Sequence, residues 1–416
     1  MSHFSLDRVI IYSATFLRAL GLGMVSILLA IYLMQLDLSK AQVGCVISVG
    51  LIGAACGNIL VTFFGDRIGR KKTLIIYALL SAAAGLTVCF FTNFYAILAV
   101  SFIGMLNARG KDRGAALVLE TAIIPSLEGD QERTKSYAWF SIVQDVGLGL
   151  GGLLAGLPTL LTSFWDIPQL IAFKTTFGFY AVFMLLAALM YTYLSARVEV
   201  PLEHVKFKLS PEGKKAVTKI GSFFAIDSLA GGFLTSALLA YYFYERFGVS
   251  VEALGVLFLV ARCLNAVSYL GAAWLAKKIG LINTMVFTHM PSSFILIAAA
   301  FAPTFPIAAA LFLLREMLVE MDVPAKKSYL MAIVKPEERT TMSGVTMIVR
   351  MFGWAVGPAF AGFFMQYMSS AMPLFIGAGL KITYDILIYS FFRKIKPPEE
   401  IEAVSDPVVE AELATA

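Results

Sequence analysis

The amino-acid sequence predicts an all-α membrane protein: twelve transmembrane helices in two pseudo-symmetric six-helix bundles, with the N- and C-termini cytoplasmic. Three observations carry this expectation. Hydrophobic residues make up 59% of the 416 positions and charged residues only 15%, about ten points below the charged share of a soluble domain, which excludes a water-soluble chain. Apolar stretches of about 20 residues, enough to cross a bilayer, recur almost without pause from Val9 to Phe392. The second half of the chain also repeats the first.

The spans are expected at residues 9–35, 40–63, 73–92, 95–125, 136–161, 170–194, 218–244, 251–275, 281–301, 305–333, 341–366 and 371–392. The first is too long for a signal-peptide core and has no small-residue cleavage site, so it is expected to remain as span one. Cys45, Cys56, Cys89 and Cys263 fall inside spans without paired spacing and read as small packing residues. Lys and Arg concentrate in the N-terminus, in the loops after even-numbered spans and in the tail, while Lys40, Lys174 and Arg246 lie on the opposite side. That asymmetry places both termini in the cytoplasm, so the net charge of +5 reports topology and not nucleic-acid binding. The polar stretch from Arg197 to Lys219, with Pro201 and Pro211, divides the chain into a bundle at 1–195, a linker at 196–217 and a bundle at 218–395. An acidic tail at 396–416, poor in aromatics, is expected to be disordered.

The repeat is parallel. Ser39-Lys40-Ala41-Gln42-Val43-Gly44 matches Ser250-Val251-Glu252-Ala253-Leu254-Gly255, and Ile68-Gly69 matches Ile279-Gly280, at an offset of 211 residues. At an offset of 206, Glu132-Arg133-Thr134 matches Glu338-Arg339-Thr340, and Gly147, Gly151 and Gly156 match Gly353, Gly357 and Gly362. Small residues four apart let helix backbones approach closely in lipid, so these glycines read first as packing positions. Parallel six-helix repeats are one architecture of secondary transporters.

With the run Gly65-Asp66-Arg67-Ile68-Gly69-Arg70-Lys71-Lys72 between spans two and three, the chain resembles the major facilitator superfamily over essentially its whole length to about residue 395. Thr62 stands where that signature loop has glycine, and Lys277-Lys278-Ile279-Gly280 is a copy without the acid. Span five resembles the family's glycine-rich antiporter motif, with Gly152 in place of its proline; Pro358 appears instead in span eleven. The resemblance implies an inner-membrane transporter in which Asp66, Arg67, Gly69 and Arg70 form a conformational latch. It further implies that spans one, four, seven and ten line a central cavity while three, six, nine and twelve face lipid.

Charges at membrane depth are costly and mark functional sites. Arg18 falls in span one, Arg109, Lys111, Asp112, Arg113 and Glu120 in span four, Asp145 in span five, Asp227 in span seven and Arg262 in span eight. Arg315, Glu316, Glu320 and Asp322 fall in span ten and Arg350 in span eleven. Counting from the loops, Arg18, Arg109, Asp145, Asp227, Arg262, Glu320 and Arg350 lie about halfway through their spans and are expected to converge at one depth. Arg109 and Arg113 are expected to share one helical face and Glu316 and Glu320 another, a basic helix mirroring an acidic one. Substrate binding is therefore expected from Arg18, Arg109, Arg113, Asp145, Arg262 and Arg350, and proton coupling from Asp227, Glu316 and Glu320. The competing reading is that opposite charges pair as structural or gating bridges.

Arg109 maps onto Arg315 at the 206 offset, whereas Arg18, Asp145, Asp227, Arg262, Glu320 and Arg350 have no charged counterpart at that offset, which favours them for chemistry. His289 in span nine reads as a packed or hydrogen-bonded residue, Lys381 and Asp385 as an i,i+4 pair, and Tyr241, Tyr242 and Tyr244 as an interfacial belt. No phosphate-cradling loop, His and Cys cluster or nucleophile and base arrangement is recognisable, so neither a cofactor, a metal nor an enzyme activity is expected. The expected function is secondary active transport of a small organic solute, coupled to protons, in the lipid bilayer. The alternatives are an efflux antiporter for amphipathic compounds and a transporter-like receptor that does not translocate.

Overall fold

The computed structural model describes residues 6–111, 114–127, 133–199, 210–323, 325–326, 329 and 339–393. Among them the regular structure is helical, and ten helices are long and apolar enough to cross a membrane. In chain order the α-helices are α1 (Leu6–Gln35), α2 (Lys40–Ile68), α3 (Arg70–Phe90), α4 (Phe94–Ile103), α5 (Ala115–Leu127), α6 (Arg133–Leu154), α7 (Leu157–Trp165) and α8 (Gln169–Thr192). There follow α9 (Pro211–Phe233), α10 (Ser236–Phe247), α11 (Val251–Ile279), α12 (Leu281–Phe301), α13 (Phe305–Val319), α14 (Arg339–Tyr367) and α15 (Met372–Phe392). The protein is a multi-pass membrane protein.

The repeated sequence elements do the same local work in both halves. Ser39 caps α2, its hydroxyl accepting from the Gln42 N–H while the Gln42 side chain accepts from the Ser39 N–H. The Ser250 hydroxyl likewise accepts from the Ala253 N–H at the start of α11. Gly69 and Gly280, at φ 99° and 85°, separate α2 from α3 and α11 from α12; this region of backbone space is open to glycine and strained for other residues.

Several expected spans are interrupted; span five is α6 and α7 with Ala155 and Gly156 between them. Span four is α4 and α5 with residues 104–111 and Gly114 out of helix, and span seven is α9 and α10 with Leu234 and Thr235 between them. Span ten runs as α13 only to Val319.

The chain divides into two compact units, Met1–His204 with Gly231–Arg262 and Met351–Pro373, and Val205–Ala230 with Cys263–Arg350 and Leu374–Ala416. In the first, α1 packs on α6, α8 and α10, and α3 on α8. A methyl group on Gly23 would stand 2.2 Å from the Leu148 carbonyl oxygen and one on Gly151 2.1 Å from that of Leu20, so α1 and α6 meet backbone to backbone. In the second unit α12 packs along α13, around a core that includes Phe224, Met285, Tyr329, Tyr384 and Phe392.

Phe90, Tyr95, Phe164, Trp165, Tyr193, Phe301 and Tyr367 are exposed near helix ends, the place of the amphipathic aromatic belt of a bilayer protein. Tyr241 and Tyr242, expected in that belt, are instead buried. Tyr241 donates to Glu245 at 2.9 Å, which turns it inward.

Candidate functional site

At mid-span, residues 104–111 leave helix and must find partners for their backbone polar groups, because lipid supplies none. The break in span seven supplies them. Thr235 caps α10, and the first-turn amide of Ala237 donates to the Ala108 carbonyl at 3.2 Å while the Ser236 hydroxyl donates to the Arg109 carbonyl at 3.0 Å. The Arg262 guanidinium donates to the Gly110 carbonyl. Within the segment, Asn107 accepts from the Arg109 N–H at 2.9 Å and donates to the Lys111 carbonyl at 2.7 Å. A helix start has amides without intrahelical acceptors, so the two interrupted helices complete one another.

Arg109 therefore does not lie on a helix and has no helical face to share with Arg113, which falls outside the described residues along with Asp112. Its guanidinium stacks 3.5 Å from the centre of the Trp354 ring, and Gly231 keeps that corner open: a methyl group there would lie 3.1 Å from the indole nitrogen. Arg315 sits in the regular helix α13, so the Arg109 and Arg315 pair share a sequence register but not a conformation.

The other expected residues fall into separate groups. Arg18 pairs with Glu120 at 3.2 Å, and Glu120 also accepts from the Tyr191 hydroxyl at 2.5 Å. Arg18 is 5% exposed and Glu120 fully buried. Beside Arg18 lies a cavity of about 50 Å³, lined also by Tyr77, Ser81, Asn107 and Tyr180; it exceeds the roughly 15 Å³ that one water needs. Asp145 is exposed on α6. Glu316 pairs with Arg315 and accepts from Asn265 at 3.0 Å. Because α13 stops at Val319, Glu320 caps its end instead of continuing its face.

Asp227 lies in a buried cluster of the second unit. Its two carboxylate oxygens meet Lys326 at 2.9 Å and Lys381 at 3.2 Å, and Lys326 also meets Asp322 at 2.7 Å. His289 contacts Lys381 through Nε2 at 2.9 Å and Asp385 through Nδ1 at 2.9 Å. Lys381 and Asp385 thus meet across an imidazole, not as the expected i,i+4 pair, and α12 turns His289, and α15 its charged pair, inward. Arg350 and Lys326 stand over the same Phe224 ring, at 5.8 and 5.4 Å. The i,i+4 spacing of Asp322 and Lys326 is the sequence signal that could have found this cluster.

At the loop between α2 and α3, the Glu199 carboxylate accepts from the Arg70 and Lys71 amides at 2.7 and 3.1 Å, capping α3. Arg70 is buried and reaches the Ala122 carbonyl of α5, while Arg67 is exposed beside Phe64. The side chain of Asp66 is outside the described residues. Glu199 escapes a reading based on span motifs because it lies beyond the end of span six.

A second ionic contact in the first unit joins the start of α2 to α10 and α14. Lys40 pairs with Glu245 at 2.5 Å and donates to Ser370 at 2.9 Å, while its N–H donates to Gln366 at 3.0 Å. Gly44 and Gly362 bring these helices together, a methyl on Gly362 falling 2.4 Å from the Lys40 carbonyl. Lys40 and Glu245 are 21% and 32% exposed, so their pair contributes about 0.2–1 kcal/mol. Glu245→Gln is expected to raise amide exchange in residues 36–44 by about two- to fivefold, read by hydrogen-exchange mass spectrometry; unchanged exchange excludes a clamping role.

The family model described as Major Facilitator Superfamily matches residues 11–321 and 225–413, and the chain belongs to that superfamily of transporters. It is 25% identical over 422 aligned residues to an uncharacterized membrane protein of Saccharomyces cerevisiae, covering 93% of this chain and 94% of that one. The niacin transporter NiaP of Acinetobacter baylyi is 28% identical over 40% of this chain and 34% of its own length. A crystal structure of a variant of the nucleoside transporter NupG superposes with a TM-score of 0.75 at 15% identity, covering 93% of this chain and all of that one, which establishes a shared fold.

Proposed function

We propose that this protein is a secondary active transporter that moves a small organic solute across the cytoplasmic (inner) membrane by alternating access of its halves at 1–195 and 218–395, coupled to protons. In this reading twelve spans cross the bilayer with both termini cytoplasmic. The observation that carries it is the paired interruption of spans four and seven, since irregular backbone at membrane depth is tolerated where it lines a cavity or is buried in protein and is where transporters bind their cargo. Arg109, stacked on Trp354 beside that break, is assigned to substrate, with an arginine for an anionic group and an indole for a flat ring. Arg113, Asp145, Arg262 and Arg350 remain assigned to the same pathway, Asp66, Arg67, Gly69 and Arg70 to the latch, and Asp227, Glu316 and Glu320 to the proton-bearing side.

The name of the Acinetobacter relative makes pyridine carboxylates the first solutes to try. Purified protein is screened by thermal shift against nicotinate, nicotinamide, nucleosides and amphipathic cations, because a ligand of the folded state raises its apparent stability. Nicotinate is expected to give a shift that Arg109→Ala abolishes. In proteoliposomes its accumulation is expected to collapse with a protonophore. Binding without accumulation would instead mark a receptor.

A further inference from the structure

The partners of the buried histidine of α12 argue for one tautomer. Lys381, an ammonium with no lone pair, donates to Nε2 at 2.9 Å, so Nε2 is bare. Nδ1 faces both oxygens of Asp385, at 2.9 and 3.0 Å, so it carries the hydrogen. His289 is thus a neutral imidazole whose vacant nitrogen is occupied by a lysine. It is 1% exposed, and the hydroxyls of Ser292 and Ser293 donate to its backbone carbonyl.

Charge reaches this ring from span seven, from the segment after α13 and from α15. Span seven contributes Asp227, 4.0 Å from Nε2, and the segment after α13 contributes Asp322 and Lys326 through Asp227. Arg350 of α14 lies at the Phe224 side of the cluster, and α15 contributes Lys381, Asp385 and the Tyr384 ring, edge-on at 6.1 Å. The charged pair of α13, Arg315 and Glu316, is turned to Asn265 of α11.

We infer that His289 is the site that holds the transported proton, and that its arrival switches Lys381 from the imidazole to Asp227. A proton taken from water binds the lone pair of Nε2 and yields an imidazolium, Nδ1–H still donating to Asp385. The Nε2–H can no longer accept from an ammonium, so the Lys381 contact breaks and Lys381 is left to Asp227, already 3.2 Å away. Release of the proton reverses the exchange. Protonation on α12 is thereby converted into a changed tie between α15 and span seven. The inference rests on the proton-coupled reading above, moves the proton from Asp227, Glu316 and Glu320 to His289, and adds the motion.

The test uses the full chain in lipid nanodiscs with ¹⁵N-histidine. Only three histidines are present, so His289→Gln identifies the His289 signals by their loss. On titration between about pH 8 and 5, the window of histidine switches, the spectrum is expected to pass from one protonated nitrogen to two in a single-proton step. Hydrogen exchange of residues 36–44 is expected to follow the same midpoint in the wild type, after correction for intrinsic rates, and to lose that step in His289→Gln. An Nε2 that stays bare throughout overturns the inference. Exchange that follows pH equally in both proteins leaves proton coupling standing and removes His289 from it. Exchange in the wild type that ignores pH removes proton coupling as a whole and the inference with it.

Discussion

Asp227→Ala is expected to destabilise the folded protein by about 3–5 kcal/mol, the cost of removing one partner from a buried ion pair. Its carboxylate is the shared counter-ion of Lys326 and Lys381, and both ammonium groups are below 10% exposed. Alanine leaves Lys326 to Asp322 alone and takes from Lys381 its carboxylate partner in a low-dielectric core. Asp227→Asn, which keeps an acceptor, is expected to lose less than the alanine variant. Denaturant titration in detergent measures both, and an alanine variant within about 1 kcal/mol of wild type would show that the lysines have other counter-ions. A transport defect in Asp227 variants must accordingly be read beside their stability.

A comparable loss, about 3–5 kcal/mol, is expected for Arg18→Met, which removes the arginine partner of the fully buried Glu120. The double variant Arg18→Met with Glu120→Leu is expected to recover most of it, because replacing a whole buried pair by apolar side chains is often neutral or better. The double-mutant cycle separates pairing from packing. If the double variant is as unstable as the single one, Arg18 acts through the adjacent cavity and not through Glu120.

Much of the architecture was legible in the chain because membranes impose simple rules. Apolar length placed the spans, and the repeats at Ser39, Gly69, Ser250 and Gly280 proved to be caps and turns that the backbone requires. The site was less legible. A count of residues gave the depth of Arg109 but assumed an unbroken helix, whereas Asn107, Gly110 and Gly114 in one polar run encode an interruption satisfied by Ser236 and Arg262, far away in sequence. Fixed offsets also concealed partners: Arg18 and Asp227 showed no charged counterpart at 211 or 206, yet each is the first-span member of a buried ion pair. The packed, hydrogen-bonded place of His289 is legible, but its tie to Lys381 and Asp385 is not, because spans nine and twelve read as lipid-facing whole helices although one face of each is inward.

Arg18 with Glu120, and Asp227 with Lys326, join the first and fourth spans of their halves with opposite polarity, and Glu120 and Lys326 stand at the 206-residue offset. If the halves descend from one ancestral copy, one pair has been inverted since duplication. No single charge reversal can accomplish that without setting like charges together out of reach of water. The inversion therefore had to pass through an uncharged pair, so the two positions in either half can drift only in concert, and a half carrying one polarity cannot donate its first span alone to a half carrying the other.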